Sequence, residues 1–489
     1  MPDEKADASS IIERRGLYYP AFDIYEGISG FYDYGNIGLR IKKNIEREWR
    51  SLFVDKLGSL EAETSTVTPE IVLKASGHLA TFTDPITRCG TCGSAYRADK
   101  LLEDFYAKKG DEKELAAVKR LGKSGLAERL KAEGLRCERC GNKLDGIEDF
   151  NLMFRTQAGH GNEAAYLRPE TAQGIFVGFR RLAKTYGIRL PAVICQAGKA
   201  YRNEISPRQQ LVRMREFTQM ESELFFDSAA VQDSLGIFEI EKLLGTEINF
   251  IGRGENITRR NKLADLLENG SIPNRYFALF LYMEKAFLDK IGIDESLYRF
   301  RALEKEELPH YSKGNADLEI KTQYGYIEVA GNAYRADYDL SQHSKLSGKE
   351  IKISDNGRSI VPHVVESSIG LDRLLLSLLE NSVQPGEDRG WAWLRLKEDI
   401  APYRNALFPL QKDERLLLKS RGLYRLMAEK SMPVYYSESG SIGKRYAKSD
   451  EIGIPYAITC DYQTLEDDTV TVRNRDTTKQ ERKPIGSIV

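Results

Sequence analysis

The chain has 489 residues, too many for one ordinary hydrophobic core, so two or three domains are expected. Hydrophobic residues make up 41% and charged residues 30%, the composition of a globular protein. A formal net charge of −1 excludes a generally basic, polyanion-coating surface but leaves room for local basic patches.

The opening MPDEKADASS lacks a basic start followed by an apolar run, and no apolar stretch approaches the ~20 residues of a bilayer span. The expected setting is therefore cytoplasmic, with no membrane partner. In that compartment cysteine pairs bind metal more often than they form disulfides. From Gly16 the chain turns aromatic and glycine-rich, through Tyr18-Tyr19-Pro20 and Gly30-Phe31-Tyr32-Asp33-Tyr34-Gly35. Leu39, Ile45, Trp49, Leu52 and Phe53 follow at near-helical spacing, which reads as a loop or short strand entering an amphipathic helix. Thr64 to Leu73 is β-branched and interrupted by Pro69, the pattern of an edge or interface strand.

Two CxxC knuckles come next, Cys89-Gly-Thr-Cys92-Gly and Cys137-Glu-Arg-Cys140-Gly. Each turn aims two thiolates at one ion, and the glycine after the second cysteine lets backbone amides fold toward sulfur. Together they complete a closed tetrahedral S4 zinc site, against which stand redox thiols or an inert pair. The charged text between them reads as helical. No nearby histidine suggests catalysis, so the metal would hold a module together.

Arg168-Pro169-Glu170-Thr171-Ala172-Gln173-Gly174 leads into an apolar segment, and the proline would fix the backbone and aim Glu170 inward. Leu190 to Cys195 is a short apolar strand feeding the charged stretch Lys199 to Phe226. Two extended segments joined by a polar loop (Ser206, Pro207, Arg208, Gln209, Gln210) would bring Arg202 and Arg215 onto neighbouring strands, with carboxylates between them. Such a cluster suits a site that holds a polyphosphate and an ammonium together; it equally suits a surface hairpin with ordinary ion pairs.

Further on, about residues 230 to 315 read as charged, helical text, with Ile272 to Ile291 at helical spacing and fitted to core packing rather than base stacking. Tyr326-Ile327-Glu328-Val329-Ala330-Gly331 alternates like a strand. Val361 to Arg373 passes from a strand into a helix whose apolar face is Leu371, Leu374, Leu375, Leu378 and Leu379. Alone, Arg373 reads as a helix-surface charge and Glu366 as a strand end. After Gln384-Pro385-Gly386 a linker with Trp391 and Trp393 opens a βαβ rhythm, which predicts a small α/β domain.

Taken together, RPETAQGIF, YRNEISPR, REFTQME and GFYDYG give the chain a resemblance to the dimeric glycyl-tRNA synthetases of archaea and eukaryotes, within the class II aminoacyl-tRNA synthetases. It runs from about Gly16 to the C-terminus. The resemblance implies an α+β fold: an antiparallel catalytic sheet with helices, a zinc-knuckle insertion, a helical insertion and a C-terminal α/β anticodon-binding domain. The corresponding boundaries are 1–84 for the core with motif 1, 85–150 for the zinc insertion, and 151–229 for the core with motif 2. Then follow 230–315 for an insertion near the tRNA acceptor arm, 316–385 for the core with motif 3, and 390–489 for the anticodon-binding domain.

The family's site residues carry over position by position. Arg202, Glu204 and Arg373 would be catalytic: Arg202 on the α-phosphate, Glu204 placing the adenine amino group or orienting Arg202, and Arg373 on the γ-phosphate. Asn203, Arg213, Met214, Phe217, Glu328 and Val329 complete the ATP site, with Phe217 stacked on adenine and Glu328 near a magnesium ion. Glu170, Glu221, Glu366, Ser367 and Ser368 would form the glycine site. One departure is visible, since the family commonly has Glu-Pro-Ser where this chain has Glu366-Ser367-Ser368. The Pro69 region resembles motif 1, which builds a homodimer. Lys444, Arg445, Lys448, Arg473 and Arg475 are candidate contacts to glycine tRNA, or else solvated charges. Two rivals are a synthetase of another class IIa specificity, which should lack the glutamate set, and a non-catalytic paralogue, which should lack the arginines. This chain has both sets.

Overall fold

A nine-stranded sheet runs through the middle of the molecule, which is described here by a computed structural model covering residues 8–118, 121–205, 207, 209–230, 233–305, 307–309, 311–355, 357–387 and 389–489. Its strands in chain order are β1 (Leu60–Glu61), β2 (Ala192–Tyr201), β3 (Glu216–Phe226), β4 (Glu247–Ile251), β5 (Arg259–Lys262), β6 (Tyr298–Ala302), β7 (Asn315–Thr322), β8 (Gly325–Ala336) and β9 (His363–Gly370). In space they lie in the order β5-β4-β6-β7-β8-β9-β3-β2-β1. All neighbours pair antiparallel except β1 with β2 and β4 with β6. This is the antiparallel core expected from the sequence.

Strand alternation divides the central residues between two faces. Met220, Leu224 and Phe226 of β3 and Val365 and Ile369 of β9 pack with the helices Asn36–Trp49, Arg275–Ile291 and Leu371–Ser382 into the main core. The intervening residues of both strands point the other way, so Glu221 faces Ser368 and Glu223 faces Glu366 across the β3–β9 pair. On that side Phe225 and Val364 meet the Ala172–Tyr186 helix through Phe176 and Phe179.

The 230–315 segment is not set apart from this core as a helical insertion. It supplies β4, β5 and β6 to one edge of the sheet, and its Arg275–Ile291 helix lies buried against the sheet as the apolar spacing required. The strands escape a periodicity reading because they are short and because edge strand β5 is charged (Arg259, Arg260, Lys262), as edge strands are. The Thr64–Leu73 expectation also shortens. Only Val67–Pro69 is extended, paired with Glu163–Leu167, and Pro69 then becomes the cap of the helix Glu70–Ala75, a position where a missing N–H costs nothing.

Between β1 and β2 a three-stranded sheet (Thr83–Cys89, Ala95–Arg97, Leu144–Asn151) carries both CxxC knuckles. Three helices, Ala98–Lys109, Glu112–Val118 and Lys123–Ala132, lie between them around a small core of Leu102, Tyr106, Leu126 and Leu130. At the C-terminus a five-stranded sheet is ordered Val434–Tyr436, Asn405–Pro409, Tyr456–Cys460, Thr469–Asn474, Gln480–Pro484. The first three strands are parallel and are crossed by the helices Glu414–Glu429 and Ile442–Glu451, as the βαβ rhythm predicts.

Three of the expected tRNA contacts are structural instead. Arg473 makes two hydrogen bonds to Asp450, at 2.9 and 3.0 Å, and Arg389 and Trp391 of the linker donate to the same carboxylate. Arg475 donates to the carbonyls of Gly453 and Leu396, and Arg445 to those of Pro409 and Leu410. All three arginines are buried. Alternation and helix spacing turned them inward, where Arg473 and Arg475 knit the linker to the domain and Arg445 braces the domain itself; Lys444 and Lys448 stay exposed.

Candidate active site

On the face of the sheet away from the main core, β3, β8 and β9 floor a cleft of about 630 Å³. Its walls bring together Glu170, Arg202, Glu204, Arg213, Met214, Phe217, Glu221, Glu328, Val329, Glu366, Ser368 and Arg373, from segments far apart in sequence. Two residues predicted for the site do not line it. Asn203 leaves through its backbone, whose N–H donates to Leu152 O at 2.6 Å. Ser367 sits on the opposite face of β9, where its hydroxyl donates to Glu284 of the buried helix at 2.7 Å. The alternation that aims Glu366 and Ser368 into the cleft necessarily aims Ser367 out of it.

One end of the cleft is cationic. Arg202 and Arg215 follow and precede the paired ends of β2 and β3, and the Arg202 N–H donates to Arg215 O at 2.9 Å, so the expected hairpin forms. The Arg202 guanidinium lies between the rings of Phe82 and Phe217, 5.4 and 5.2 Å from their centroids, and donates to Pro169 O. Arg215 is spent on backbone, donating to Glu204 O and Ser29 O. Arg373, at the start of its helix, donates to Val212 O and Glu328 O at 2.8 Å each and stands 3.3 Å from the Glu328 carboxylate. Arg213 is 3.7 Å from Glu204. Ser206 and Arg208 of the intervening loop lie outside the described residues.

The other end is acidic and closed. Thr171 donates to Glu221 Oε2, and Ser368 to Glu221 Oε1 at 2.9 Å. Gln173 bridges Glu170 and Asp339, at 2.9 Å to each, and His343 meets its amide oxygen at 2.8 Å. At the centre is Arg335, fully buried between Tyr311 and Phe176, donating to both oxygens of Asp339 and to Glu366. His78 Nε2 lies 3.4 Å from Glu170.

Burial and neighbours drive these acids apart. Glu170 is held below the usual carboxylate range, because His78, Arg335 and Gln173 outweigh its burial. Burial, then Glu366 and Glu170, push Glu221 up to about 8. Burial raises Glu366 in spite of Arg335, and raises Glu223 well above its ordinary value. Arg335, Asp339, Gln173 and His78 were not singled out from the sequence. His78, Arg335 and Asp339 come from segments with no motif of their own, and Gln173, though inside RPETAQGIF, was given no role; only the assembled fold shows them converging.

In the module that carries the two CxxC knuckles the four cysteine sulfurs lie within 4.8 Å of one another, with Cys89–Cys140 at 3.4 Å and Cys92–Cys137 at 3.5 Å. Sulfurs around a tetrahedral zinc stand about 3.8 Å apart. The knuckles repeat one turn: Gly93 N donates to Cys89 O and Gly141 N to Cys137 O, each glycine at φ +72°, which a side chain would disfavour. The donor set therefore fits a structural metal site. Among the described residues this is the only cluster of three or more such ligands. Glu328 lies close enough to Asp317 for its charge to help raise that carboxyl, and carboxylates in ones or twos are what magnesium takes alongside substrate phosphates.

The antiparallel sheet and the split cleft define a class II aminoacyl-tRNA synthetase. Residues 154–382 match the tRNA synthetase class II core domain (G, H, P, S and T), and residues 406–489 an anticodon binding domain. A solved prolyl-tRNA synthetase of Giardia lamblia, in complex with prolyl-adenylate, superposes with a TM-score of 0.59 over 98% of this chain and 73% of that one; at 15% identity it speaks for the fold alone. The chain is 37% identical to a glycine–tRNA ligase of Pyrococcus horikoshii, over 97% of its own length and 95% of the relative's. It is 36% identical to that of Methanocaldococcus jannaschii, over 98% and 96%, and 35% identical to that of Aeropyrum pernix, over 96% and 93%. The chain belongs to the glycine–tRNA ligase family.

Proposed function

We propose that the cleft activates glycine with ATP and passes the glycyl group to the 3′ end of glycine tRNA. The observation that carries this is the split cleft itself, a closed carboxylate nest at one end and arginines 202, 213 and 373 at the other. Glu170, Glu221, Glu366 and the Ser368 hydroxyl hold the ammonium, and the glycine carboxylate then points toward the arginines. A carboxylate oxygen attacks the α-phosphorus of ATP, the bond to the β-phosphate oxygen breaks, and pyrophosphate leaves. In the second step a terminal ribose hydroxyl attacks the glycyl carbonyl and AMP departs.

No side chain becomes a covalent nucleophile. Arg202 absorbs charge at the α-phosphate, Arg373 at the γ-phosphate, and Glu204 orients the adenine end, so catalysis rests on positioning and electrostatic stabilisation. Phe82 and Phe217 fix the Arg202 plane, and Phe217 offers a ring to adenine. Glu328 would hold a magnesium ion, which would supply neutralisation of phosphate charge. Zinc on Cys89, Cys92, Cys137 and Cys140 has a structural part only.

Glycine needs a pocket that excludes any side chain, and overlap rejects alanine more strongly than the roughly 1–3 kcal/mol of a missing methylene. The homodimer reading is supported by exposed apolar side chains around the motif 1 segment, Val67, Ile71, Val177 and Leu346. The cytoplasmic setting accords with six cysteines that form no disulfide; among the described residues no helix is long and apolar enough to cross a membrane.

The test is amino-acid-dependent pyrophosphate exchange, run with each amino acid in turn. Exchange with glycine alone is expected. Exchange with serine or proline instead would overturn the specificity, and none with any amino acid would favour a non-catalytic paralogue.

A further inference from the structure

The Arg275–Ile291 helix is apolar where it meets the sheet, with one exception. Glu284 is fully buried among Phe280, Leu281, Phe287 and Leu288, and no cation acts on it among the described residues. Leaving a carboxyl group in such a place is costly unless its oxygens are used. Both are: Ser367 donates to Oε1 at 2.7 Å and Asn332 Nδ2 to Oε2 at 3.0 Å. Asn332 and Ser367 are register partners on β8 and β9. Their neighbours on the other face, Gly331 with Ser368 and Ala333 with Glu366, are also register partners, and all four line the acidic end of the cleft.

We propose that Glu284 is a positioning residue for amino-acid selection, clasping β8 and β9 from behind at the one pair of positions that sets the wall of the glycine pocket. This rests on the reading of the cleft as a glycine site. The strands need such a clasp here. The β8 register shifts against β7 near Leu318/Glu319 and against β9 between Tyr334 and Ala336, so Asn332 sits in a regular stretch between two irregularities. A slip there would turn Glu366 and Ser368 away from the cleft, and a smaller widening would admit a methyl group. Ser367, the departure from the family's Glu-Pro-Ser, gains its purpose in this arrangement. It anchors β9 by a hydroxyl rather than by a constrained backbone.

Glycine and alanine pyrophosphate exchange, with separate KM values for the amino acid and for ATP, tests the proposal alongside thermal denaturation. Glu284→Leu should raise the glycine KM about tenfold to a hundredfold, the cost of misplacing binding groups by fractions of an ångström. It should also raise alanine exchange relative to glycine and leave the ATP KM within about twofold. Glu284→Gln should stay within about threefold of wild type, since an amide still accepts from Ser367 and offers an N–H to Asn332 Oδ1, which has no partner now. Ser367→Ala should add little on top of Glu284→Leu, because both break one clasp.

A folded Glu284→Leu variant with unchanged glycine KM and discrimination overturns the proposal, as does one in which both KM values rise in parallel. Should that variant not fold, Ser367→Ala alone carries the same glycine-only shift, and its absence is equally fatal. Wild-type protein that exchanges no glycine would overturn the reading of the cleft instead, a separate and recognisable outcome.

Discussion

The two ends of the cleft follow opposite plans. At the phosphate end the cations are partly open: the Arg373 side chain is 32% exposed and, like Arg202, rests on backbone carbonyls. At the amino-acid end Arg335 is wholly enclosed, and Glu170, Glu221, Glu366 and Asp339 are each committed to a partner or to Arg335 itself. The difference follows the ligands. On the proposed reading, ATP brings several charges of its own and can draw part-exposed arginines onto them, whereas glycine has no side chain to organise a site. Its pocket must be arranged during folding, so that the ordering cost is met before the ligand arrives.

Removing the centre of the ordered end should have the largest effect. Arg335→Met leaves Glu366 and Asp339 buried without their cation, a change that costs about 3–5 kcal/mol in comparable buried pairs. The expected result is a lower melting temperature and loss of measurable glycine exchange. If the variant melts like wild type and activates glycine normally, the acidic end is not organised by this arginine. At the loose end, Arg202→Ala should lower kcat for adenylation about 10²–10³-fold, the range for one lost transition-state donor. Its melting temperature and oligomeric state should hold, because among the described residues the side chain's one acceptor is Pro169 O, across a long hydrogen bond. Full adenylation by that variant would refute the role.

The same contrast explains what the sequence disclosed. Arg202, Glu204, Arg213 and Phe217 lie within one hairpin, and Glu366, Ser368 and Arg373 within one strand–helix turn, so the family resemblance reached them through recognisable motifs, and all seven line the cleft. The net around Arg335 draws on Ser76–His78, Gln173, Tyr311 and Asp339, which share neither a motif nor a periodicity. Ser367 shows the opposite failure. Its neighbours Glu366 and Ser368 line the cleft, but a three-residue match ignored the two-residue period of a strand and put all three side chains on one face. In the 230–315 segment the short charged edge strands looked like helix until their partners in the sheet were known.

Glu221 gives the ordered end a pH signature. Its carboxyl titrates at about 8 in the free protein, so near neutrality it is largely protonated. An ammonium beside it favours the ionised form, and binding glycine then expels a proton. Affinity should accordingly rise with pH, by up to about tenfold per unit below the free-protein value, and level off above it. The sign is reversed for stability. A carboxyl whose folded value exceeds its ordinary one binds its proton more tightly in the folded state, so stability is lost as pH climbs from the ordinary carboxylate range to about 8. Glycine KM measured from pH 6 to 9 checks the first claim, and Glu221→Gln should flatten the slope. A pH-independent KM in the wild-type protein would mean that Glu221 is already ionised before glycine arrives.

The C-terminal domain repeats the contrast on a smaller scale, with buried arginines and open lysines. Arg473 and Arg475 are occupied by Asp450 and by backbone carbonyls, so substituting them should disturb the domain and its linker before it disturbs any partner. Lys444 lies at the exposed start of the Ile442–Glu451 helix, where its charge is free to meet a phosphate. Lys444→Ala should weaken binding of glycine tRNA only a few-fold and reduce the salt dependence of binding by about one phosphate contact. Melting temperature and tRNA-independent pyrophosphate exchange should stay unchanged. A substitution that altered tRNA binding at no salt concentration would move the contact elsewhere on the domain. One that altered exchange would show that this lysine acts on the catalytic cleft, which its distance in sequence and its place on a helix of the C-terminal domain give no reason to expect.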